Sequence, residues 1–268
     1  MPAWSLLVNP AFFGYRVTDL MVDVQSEATK PDIIRKLRLV HEITGIVNFY
    51  GTGLRIFMIY NGDESRSRTV ELISRITNAE RIIPCRMPLP RSETRNLTET
   101  DVAIIRALSN DARKPSVLVA NELGLTAKTV RKRVDRLRKE NTIFPFPILN
   151  MASIAGLIPI YLSYVYSNSG AKTSTDREIV SHFDANYITG SFADPNIGNV
   201  VLCAPAMADV PKFLEWAKSQ PGIASARADI LIETFMFPEK LIELFELKHE
   251  KATMRENALV KSRTPASF

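Results

Sequence analysis

Residues 115–139 read PSVLVANELGLTAKTVRKRVDRLRK and predict two helices joined by a tight turn. Pro115 suits the start of a helix, and Gly124 is the residue type that favours the left-handed conformation just beyond a helix C-terminus. Thr126 can then cap the next helix at once. A helix-turn-helix needs such a short, glycine-containing turn, because its first helix must brace the second at a steep angle. The spacing meets that requirement.

The second helix of this pair carries charge of nearly one sign. From Thr126 to Lys139 seven residues are basic, whereas Asp135 alone is acidic. Val130, Val134 and Leu137 recur at helical spacing and predict the face that is turned to the core. Solvated helices usually mix signs, and a one-signed face is expected where phosphates neutralise it. The sequence therefore predicts a surface for double-stranded DNA, and the alternative is a solvated face used for protein contacts.

The start of this helix is expected to enter the major groove of DNA. The predicted DNA-binding residues are Thr126, Ala127, Lys128, Thr129, Arg131, Lys132, Arg133 and Arg136. Side chains of the first turns are placed to meet base edges, and the others to hold phosphates. The base-edge group comprises Ala127, Lys128, Arg131 and Lys132. The phosphate group comprises Arg133, Arg136 and the region of Thr126.

A further helix precedes the pair, and an apolar segment follows it. Thr98 can cap this helix, Asp101 lies in its first turn, and Val102, Ile105 and Leu108 form its inward stripe. Continued to Phe146, the segment predicts a winged helix-turn-helix over residues 91–150.

Composition limits the class of protein. The chain has 268 residues, of which 46% are hydrophobic and 24% charged, as is typical of folded globular proteins. Its net charge of +5 fits a partner that carries phosphates. No apolar run is long enough for a membrane helix and the start lacks a secretion signal, so a cytoplasmic protein is expected. Cys85 and Cys203 are predicted to be buried thiols, and the three scattered histidines do not predict a metal site.

A βαββαβ order of elements is predicted twice, once on each side of the helix-turn-helix. The first copy begins with a strand at Tyr15–Val24 and ends with a strand near residues 81–87. The second begins at Ile158–Tyr166 and ends with Ile223–Phe237. Each copy predicts a ferredoxin-like module, in which both helices cover one face of an antiparallel sheet. The other face of each sheet needs a partner.

The predicted fold class is α+β, with the winged helix-turn-helix between two ferredoxin-like modules. The expected domains are a first module at residues 1–90, the winged helix-turn-helix at 91–150, and a second module at 151–247. The second module includes a short amphipathic helix from Pro238 to Leu247, and residues 248–268 form a polar tail.

The middle segment resembles the Lrp/AsnC (feast/famine) family of transcriptional regulators. Matching residues are Leu97-Thr98-Glu99-Thr100-Asp101, Ile104-Ile105, Leu108, Asp111-Ala112-Arg113, Val119-Ala120, Leu123-Gly124-Leu125-Thr126, Thr129-Val130, Arg133-Val134, Arg136-Leu137 and Asn141-Thr142-Ile143. In that family the helix-turn-helix precedes a βαββαβ effector and assembly module, which the second module resembles. The resemblance thus implies a DNA-binding regulator, and the residues themselves lead us to assign no catalytic residue, metal ligand or cofactor.

This chain departs from the family pattern in three ways. A further module stands ahead of the helix-turn-helix. Family members often carry a glycine followed three residues later by aspartate near the effector, whereas here Gly190 is followed by Ala193 and then Asp194. This departure counts against effector binding; the family resemblance still implies an amino-acid-like effector as a candidate partner, with no site assigned. Asn141 replaces the glycine that the family prefers before the wing, and asparagine also tolerates positive φ.

Two other functions remain open. Siroheme decarboxylases also resemble Lrp/AsnC proteins, and such an enzyme would need histidine and arginine around a tetrapyrrole pocket, for which His41 or His182 with Arg55 is the candidate set. A sensor or assembly protein that does not contact DNA is the second alternative. If the chain reads a palindromic site, its single helix-turn-helix requires a homodimer or larger assembly through the sheet faces or edges.

Overall fold

Two units share the chain in alternation. The computed structural model describes residues 3–87, 89–93, 97–148, 156–191, 194–244 and 246. The first unit, termed the helix-turn-helix unit, comprises residues 1–15, 90–148 and 237–268. The second, termed the sheet unit, comprises residues 16–89 and 149–236.

The elements follow the predicted order, with one further strand at the start of the chain that the sequence did not predict. The strands are β1 (Ala3–Val8), β2 (Arg16–Asp23), β3 (Ile43–Phe49), β4 (Gly53–Tyr60), β5 (Arg81–Met87), β6 (Ile143–Ile148), β7 (Ile158–Tyr166), β8 (Tyr187–Ser191), β9 (Ile197–Ala204) and β10 (Ile223–Met236). The helices are α1 (Lys30–Arg38), α2 (Asp63–Thr77), α3 (Glu99–Leu108), α4 (Ser116–Leu123), α5 (Ala127–Lys139), α6 (Lys172–His182) and α7 (Asp209–Ser219).

The sheet unit contains both predicted modules in a single sheet. Its eight strands run in the order β5-β2-β4-β3-β10-β7-β9-β8, and every pair is antiparallel. Each βαββαβ copy supplies four neighbouring strands, and the copies join where β3 pairs with β10, with Thr234 opposite Val47. The predicted α+β class with two ferredoxin-like modules is confirmed.

Local sequence explains why these elements form. Pro31 lies in the first turn of α1, where its missing N–H is not needed, and the stripe of Ile33, Ile34 and Leu37 is buried. In the second module, Ile160 and Leu162 of β7 point to the helix side and pack in a core with residues of α6 and α7. Both modules therefore cover one sheet face with helices, as predicted.

The opposite face of each module, termed the inner face, is covered by the other module. Strands β2 and β7 are four positions apart in the sheet, which is roughly 19 Å if the sheet were flat. Yet the Ser163 Oγ on β7 lies 3.8 Å from the Met21 Sδ on β2. The sheet therefore curls until its halves face each other. The sheet faces that the sequence left without a partner thus contact each other within the chain.

An apolar cluster, termed the inner-face cluster, fills the space between these halves. Its buried members are Val47, Phe49, Tyr161, Cys203 and Leu231. The Phe49 and Tyr161 rings belong to different modules and lie 5.5 Å apart between centroids. This contact ties the stability of one module to the other.

The helix-turn-helix unit takes its parts from three stretches of chain. Strand β1 pairs antiparallel with β6, with Leu7 opposite Phe144, and the buried Leu6 and Val8 of β1 join the core of α3, α4 and α5. Residues 238–244 form the predicted C-terminal helix, with Leu241 and Leu244 buried. Position 247, its predicted end, lies outside the described residues.

The structural grouping differs from the predicted domain boundaries in two places. Residues 1–15, expected in the first module, and the helix at 238–244, expected in the second, both belong to the helix-turn-helix unit. The reason is that their partners are distant in sequence: β1 pairs with β6, and Ile242 packs on the core that includes Val102. Within the described residues, no helix combines the length and apolar character needed to cross a membrane.

The inner-face cluster generates a stability prediction. Replacing Phe49 with alanine is expected to lower the free energy of unfolding by about 3–5 kcal/mol, because it leaves a cavity in a closed core. The fluorescence of Trp216, which lies in the other module, should report this as a lower midpoint of urea unfolding in a Trp4→Phe background. Leu39→Ala is the control: its side chain is 83% exposed, so a change within about 0.5 kcal/mol is expected. An unchanged Trp216 midpoint in Phe49→Ala would show that the second module does not depend on the cluster.

Candidate nucleic-acid interface

Caps at three helix ends set the geometry of the helix-turn-helix. Thr98 and Asp101 form a capping box at the start of α3. Gly124 ends α4 with φ of 65°, a left-handed conformation that glycine adopts without strain. Thr126 begins α5, and its hydroxyl accepts a hydrogen bond of 3.1 Å from the Thr129 backbone N–H. The residue before the wing, Asn141, has φ of 55°, as its substitution for glycine predicted.

Packing fixes the rotation of α5 about its axis. Val130 and Leu137 are fully buried, and Val134 packs against the same core. Ala127 is half-buried and packs against this core as well, and its predicted base-edge contact stays a prediction. Because this stripe faces inward, the opposite side of α5 is the side that a duplex can reach.

The reachable side of α5 is densely basic. Its exposed cations are Lys128, Arg131, Lys132, Arg138 and Lys139, and Asp135 lies among them. Within the part of the chain that the structure describes, none of these five has an acidic side chain within salt-bridge distance. They are therefore available for an anionic partner.

Two predicted phosphate ligands are engaged elsewhere. The Arg133 Nη1 lies 2.9 Å from Asp101 Oδ1, and the Arg136 Nη2 lies 2.7 Å from Asp101 Oδ2. The Asp101 side chain is fully buried, so the two guanidinium groups clamp α5 to the first turn of α3. The sequence did not predict this role, and the phosphate contacts that it did predict for these two arginines stay predictions. Thr126 and Thr129 likewise serve the cap, with their hydroxyls 2.9 Å apart.

The role of Asp101 in joining two helices was missed from sequence. In the sequence, Asp101 is recognisable only as the acid at the third position of a capping box. That position accounts for its hydrogen bond to Thr98 but not for its contacts with α5. Burial raises the pKa of the Asp101 carboxyl, but hydrogen bonds from Thr98, Arg133 and Arg136 outweigh burial and hold it below its ordinary value. The carboxylate form is therefore the one that the native structure stabilises.

Positive charge is concentrated in the unit that holds α5. The helix-turn-helix unit has 18 basic and 12 acidic residues, a net charge of +6. The sheet unit has 16 basic and 17 acidic residues, a net charge of −1. The excess that gives the whole chain its +5 thus lies with the candidate interface.

The histidine and arginine set considered for a tetrapyrrole is not brought together. Arg55 forms a buried ion pair with Asp19, and its guanidinium lies 4.3 Å from the centroid of the Tyr161 ring. Burial raises the pKa of the Asp19 carboxyl to about 7 and lowers the pKa of the Arg55 guanidinium to about 9. The His182 ring instead stacks on the Trp216 ring, with their centroids 3.6 Å apart, and His41 lies exposed in the turn after α1.

The acid near the predicted effector hairpin is also engaged. The Asp194 Oδ1 accepts hydrogen bonds from the backbone N–H groups of Asn196 at 2.8 Å and Ile197 at 3.1 Å. This carboxylate stabilises its own turn. Among the described residues, no three acidic, histidine or cysteine side chains are grouped so that they could hold a metal ion.

The Asp101 clamp generates a second prediction. Asp101→Ala is expected to lower the stability of the helix-turn-helix unit by about 2–4 kcal/mol, because it removes a cap and leaves two guanidinium groups without their partner. Unfolding followed by Trp4 fluorescence in a Trp216→Phe background measures this loss. Glu99→Ala, which removes an exposed acid from the same turn, is the control and should change little.

The difference between wild type and Asp101→Ala should depend on pH. Because the pKa of Asp101 is lower in the folded state, its contribution is complete above the unfolded value of about 3.9 and disappears as the pH falls through the folded value. A loss that is equal at pH 7 and below the folded pKa would contradict this account.

Comparison with known proteins agrees with this geometry. A model of the AsnC-type helix-turn-helix domain matches residues 97–138. No curated protein sequence matches the chain. Among solved structures, siroheme decarboxylase NirDL is 11% identical with a TM-score of 0.60, and the match covers 94% of this chain and 84% of that one. The complex of siroheme decarboxylase NirDL with an iron-uroporphyrin III analogue is 10% identical with a TM-score of 0.59, and the match covers 91% of this chain and 82% of that one.

A shorter match is to AsnC from E. coli, at 13% identity and a TM-score of 0.41, covering 52% of this chain and 93% of that one. At 11% identity the likeness to NirDL is one of fold. This chain therefore carries an AsnC-type helix-turn-helix domain at residues 97–138 and shares its overall fold with siroheme decarboxylase NirDL.

Proposed function

We propose that this chain is a sequence-specific DNA-binding transcriptional regulator that inserts α5 into the major groove. The observation that carries the proposal is the exposed side of α5, where five basic side chains lack an acidic partner among the described residues. Such a face repels itself in water and is stabilised when phosphates neutralise it.

The division of labour along α5 follows from position. Lys128, Arg131 and Lys132 lie in the first two turns, the part of a recognition helix that meets base edges. Arginine and lysine at this position select guanine through its O6 and N7 acceptors. Arg138 and Lys139 lie at the far end of the helix, where contacts to phosphate are expected.

The proposal extends to assembly. A palindromic site would be read by a homodimer, since one chain contains one helix-turn-helix among the described residues. The inner faces are filled within each chain, so we propose that a dimer uses other surfaces, such as the edge strands β5 and β8. A cytoplasmic location and an amino-acid-like effector stay predictions.

Selection from a pool of random duplexes, followed by binding measurements on the selected duplex, tests the proposal. The wild-type chain should enrich a sequence and bind it with an affinity that falls steeply with salt. Replacing Lys128, Arg131 and Lys132 with alanine should abolish the preference for the selected duplex, with a loss of about 1–3 kcal/mol for each base contact removed.

The control removes the same charge from the sheet unit, through alanine at Arg177, Lys212 and Lys218, which are all exposed. This variant should bind DNA as the wild type does. Equal weakening in the two triple variants would show that only net charge matters, and a wild-type chain that enriches no sequence would exclude the proposed function.

We further propose that the chain acts without catalysis. The overall fold of NirDL favours a siroheme decarboxylase as the second candidate, because that match spans most of both chains. Against it, Arg55 is paired with Asp19 and packed on Tyr161, and neither His41 nor His182 is among its contacts.

The two candidates differ in a direct assay. We expect the purified chain, mixed with an iron-uroporphyrin, to leave the Soret band unshifted. A shifted band that disappears in a His41→Ala or His182→Ala variant would favour the enzyme and contradict the proposal. DNA binding by the same preparation serves as the control for folded protein.

A further inference from the structure

A groove on the helix-turn-helix unit lies between α5 and the connection from α3 to α4. Its volume is about 430 Å³, within the range of roughly 300–1,000 Å³ that small-ligand sites occupy. The polar residues that line it are Arg113, Lys114, Ser116, Arg131, Asp135 and Arg138. Arg113, Lys114 and Arg138 do not belong to the set predicted from sequence to bind DNA.

The guanidinium of Arg113 is held in place by an aromatic ring. The Arg113 Cζ lies 3.7 Å from the centroid of the Trp4 ring, which is a cation–π contact. Trp4 belongs to β1, which also fixes the backbone of this connection: the Ala112 N–H donates to the Trp4 carbonyl at 2.9 Å. The Ser5 hydroxyl donates to the Ser109 carbonyl at 3.2 Å. Strand β1 therefore positions Arg113 before any ligand arrives.

The charge of the groove is unbalanced. Lys114 is paired with Glu122 at 2.6 Å, so its charge is largely compensated. Within the described residues, Arg113, Arg131 and Arg138 have no acidic partner in salt-bridge distance, and Asp135 is the one acid in the lining. Two positive charges thus remain after Asp135 is counted. An anion is the ligand that this set of side chains favours.

We propose that this groove seats a phosphate of the DNA backbone, with Arg113 and Arg138 as its ligands and Trp4 as the residue that positions Arg113. The inference rests on the proposed function and adds a contact outside α5. Arg131 lines the groove and also stands on the reachable side of α5, so a duplex lying on that side passes its backbone over the groove. In helix-turn-helix complexes the helix ahead of the recognition helix crosses the backbone.

Single substitutions with salt titration test the seat. Arg113→Ala should weaken binding to selected and random-sequence duplexes by the same factor, on the order of fivefold to tenfold, and lower the slope of log K against log salt by about 1. Arg106→Ala is the matched control, because Arg106 lies in the same unit but is paired with Glu246 at 2.8 Å outside the groove. Asp135→Asn should strengthen binding, since it removes the acid from the lining.

The positioning role of Trp4 has its own readout. Trp4→Leu keeps every charge but removes the ring, and it should weaken DNA binding as Arg113→Ala does. Trp4→Phe keeps an aromatic face and should restore most of the affinity. In a Trp216→Phe background, the emission of Trp4 should change when DNA is added, and this change should vanish in Arg113→Ala.

The outcomes separate this inference from the proposed function. Suppose that the wild type binds DNA and that Arg113→Ala matches Arg106→Ala in affinity and salt slope. The phosphate contact in the groove is then excluded, whereas the proposed role of α5 as the recognition helix is not contradicted. If the wild type does not bind DNA, both fail. Inorganic phosphate and glucose 6-phosphate are titrated without DNA: a saturable change of Trp4 emission at submillimolar concentration would assign the groove to a soluble phosphate and overturn the backbone assignment.

Discussion

A ferredoxin-like module leaves one face of its sheet open to water, and the whole sheet unit follows from that constraint. The sequence places apolar residues on both faces of β3 and β4, including Val47 and Phe49 on the face without helices. The second module meets this need inside the same chain. Pairing of β3 with β10 makes a continuous sheet, and its curl brings the inner faces together. Duplication of the module thus provides, within one chain, the cover for the open sheet face that an isolated module would need from another subunit.

Insertion of the helix-turn-helix between the modules explains how its unit is assembled. The chain enters the helices from β5 and leaves them into β7, while both ends of the described chain contribute to the same unit. Strand β1 pairs with β6 and supplies Trp4, and the helix at residues 238–244 completes the core. Segments outside the matched residues 97–138 therefore shape the candidate interface.

Features set by near neighbours in sequence could be predicted, and features set by distant ones could not. The stripe of α5, the caps at Thr98 and Thr126, and the αL residues Gly124 and Asn141 follow from spacings of a few residues. Strands β1 and β6 are separated in sequence by about the length of a domain, and no local periodicity indicates that they pair. The contact of Trp4 with Arg113 depends on that pairing, so it could not be found either.

A count of basic residues on a helix mixes two physically different groups. Of the seven on α5, Arg133 and Arg136 compensate one buried carboxylate, and their geometry is set by packing between helices. Five others face solvent without acidic partners among the described residues. The charge of the first group is partly cancelled by Asp101, so the second group contributes most to the release of counterions from a duplex. The positive charge that α5 offers to DNA is therefore smaller than its sequence suggests. Cations from other elements, such as Arg113, then contribute a larger share of the binding.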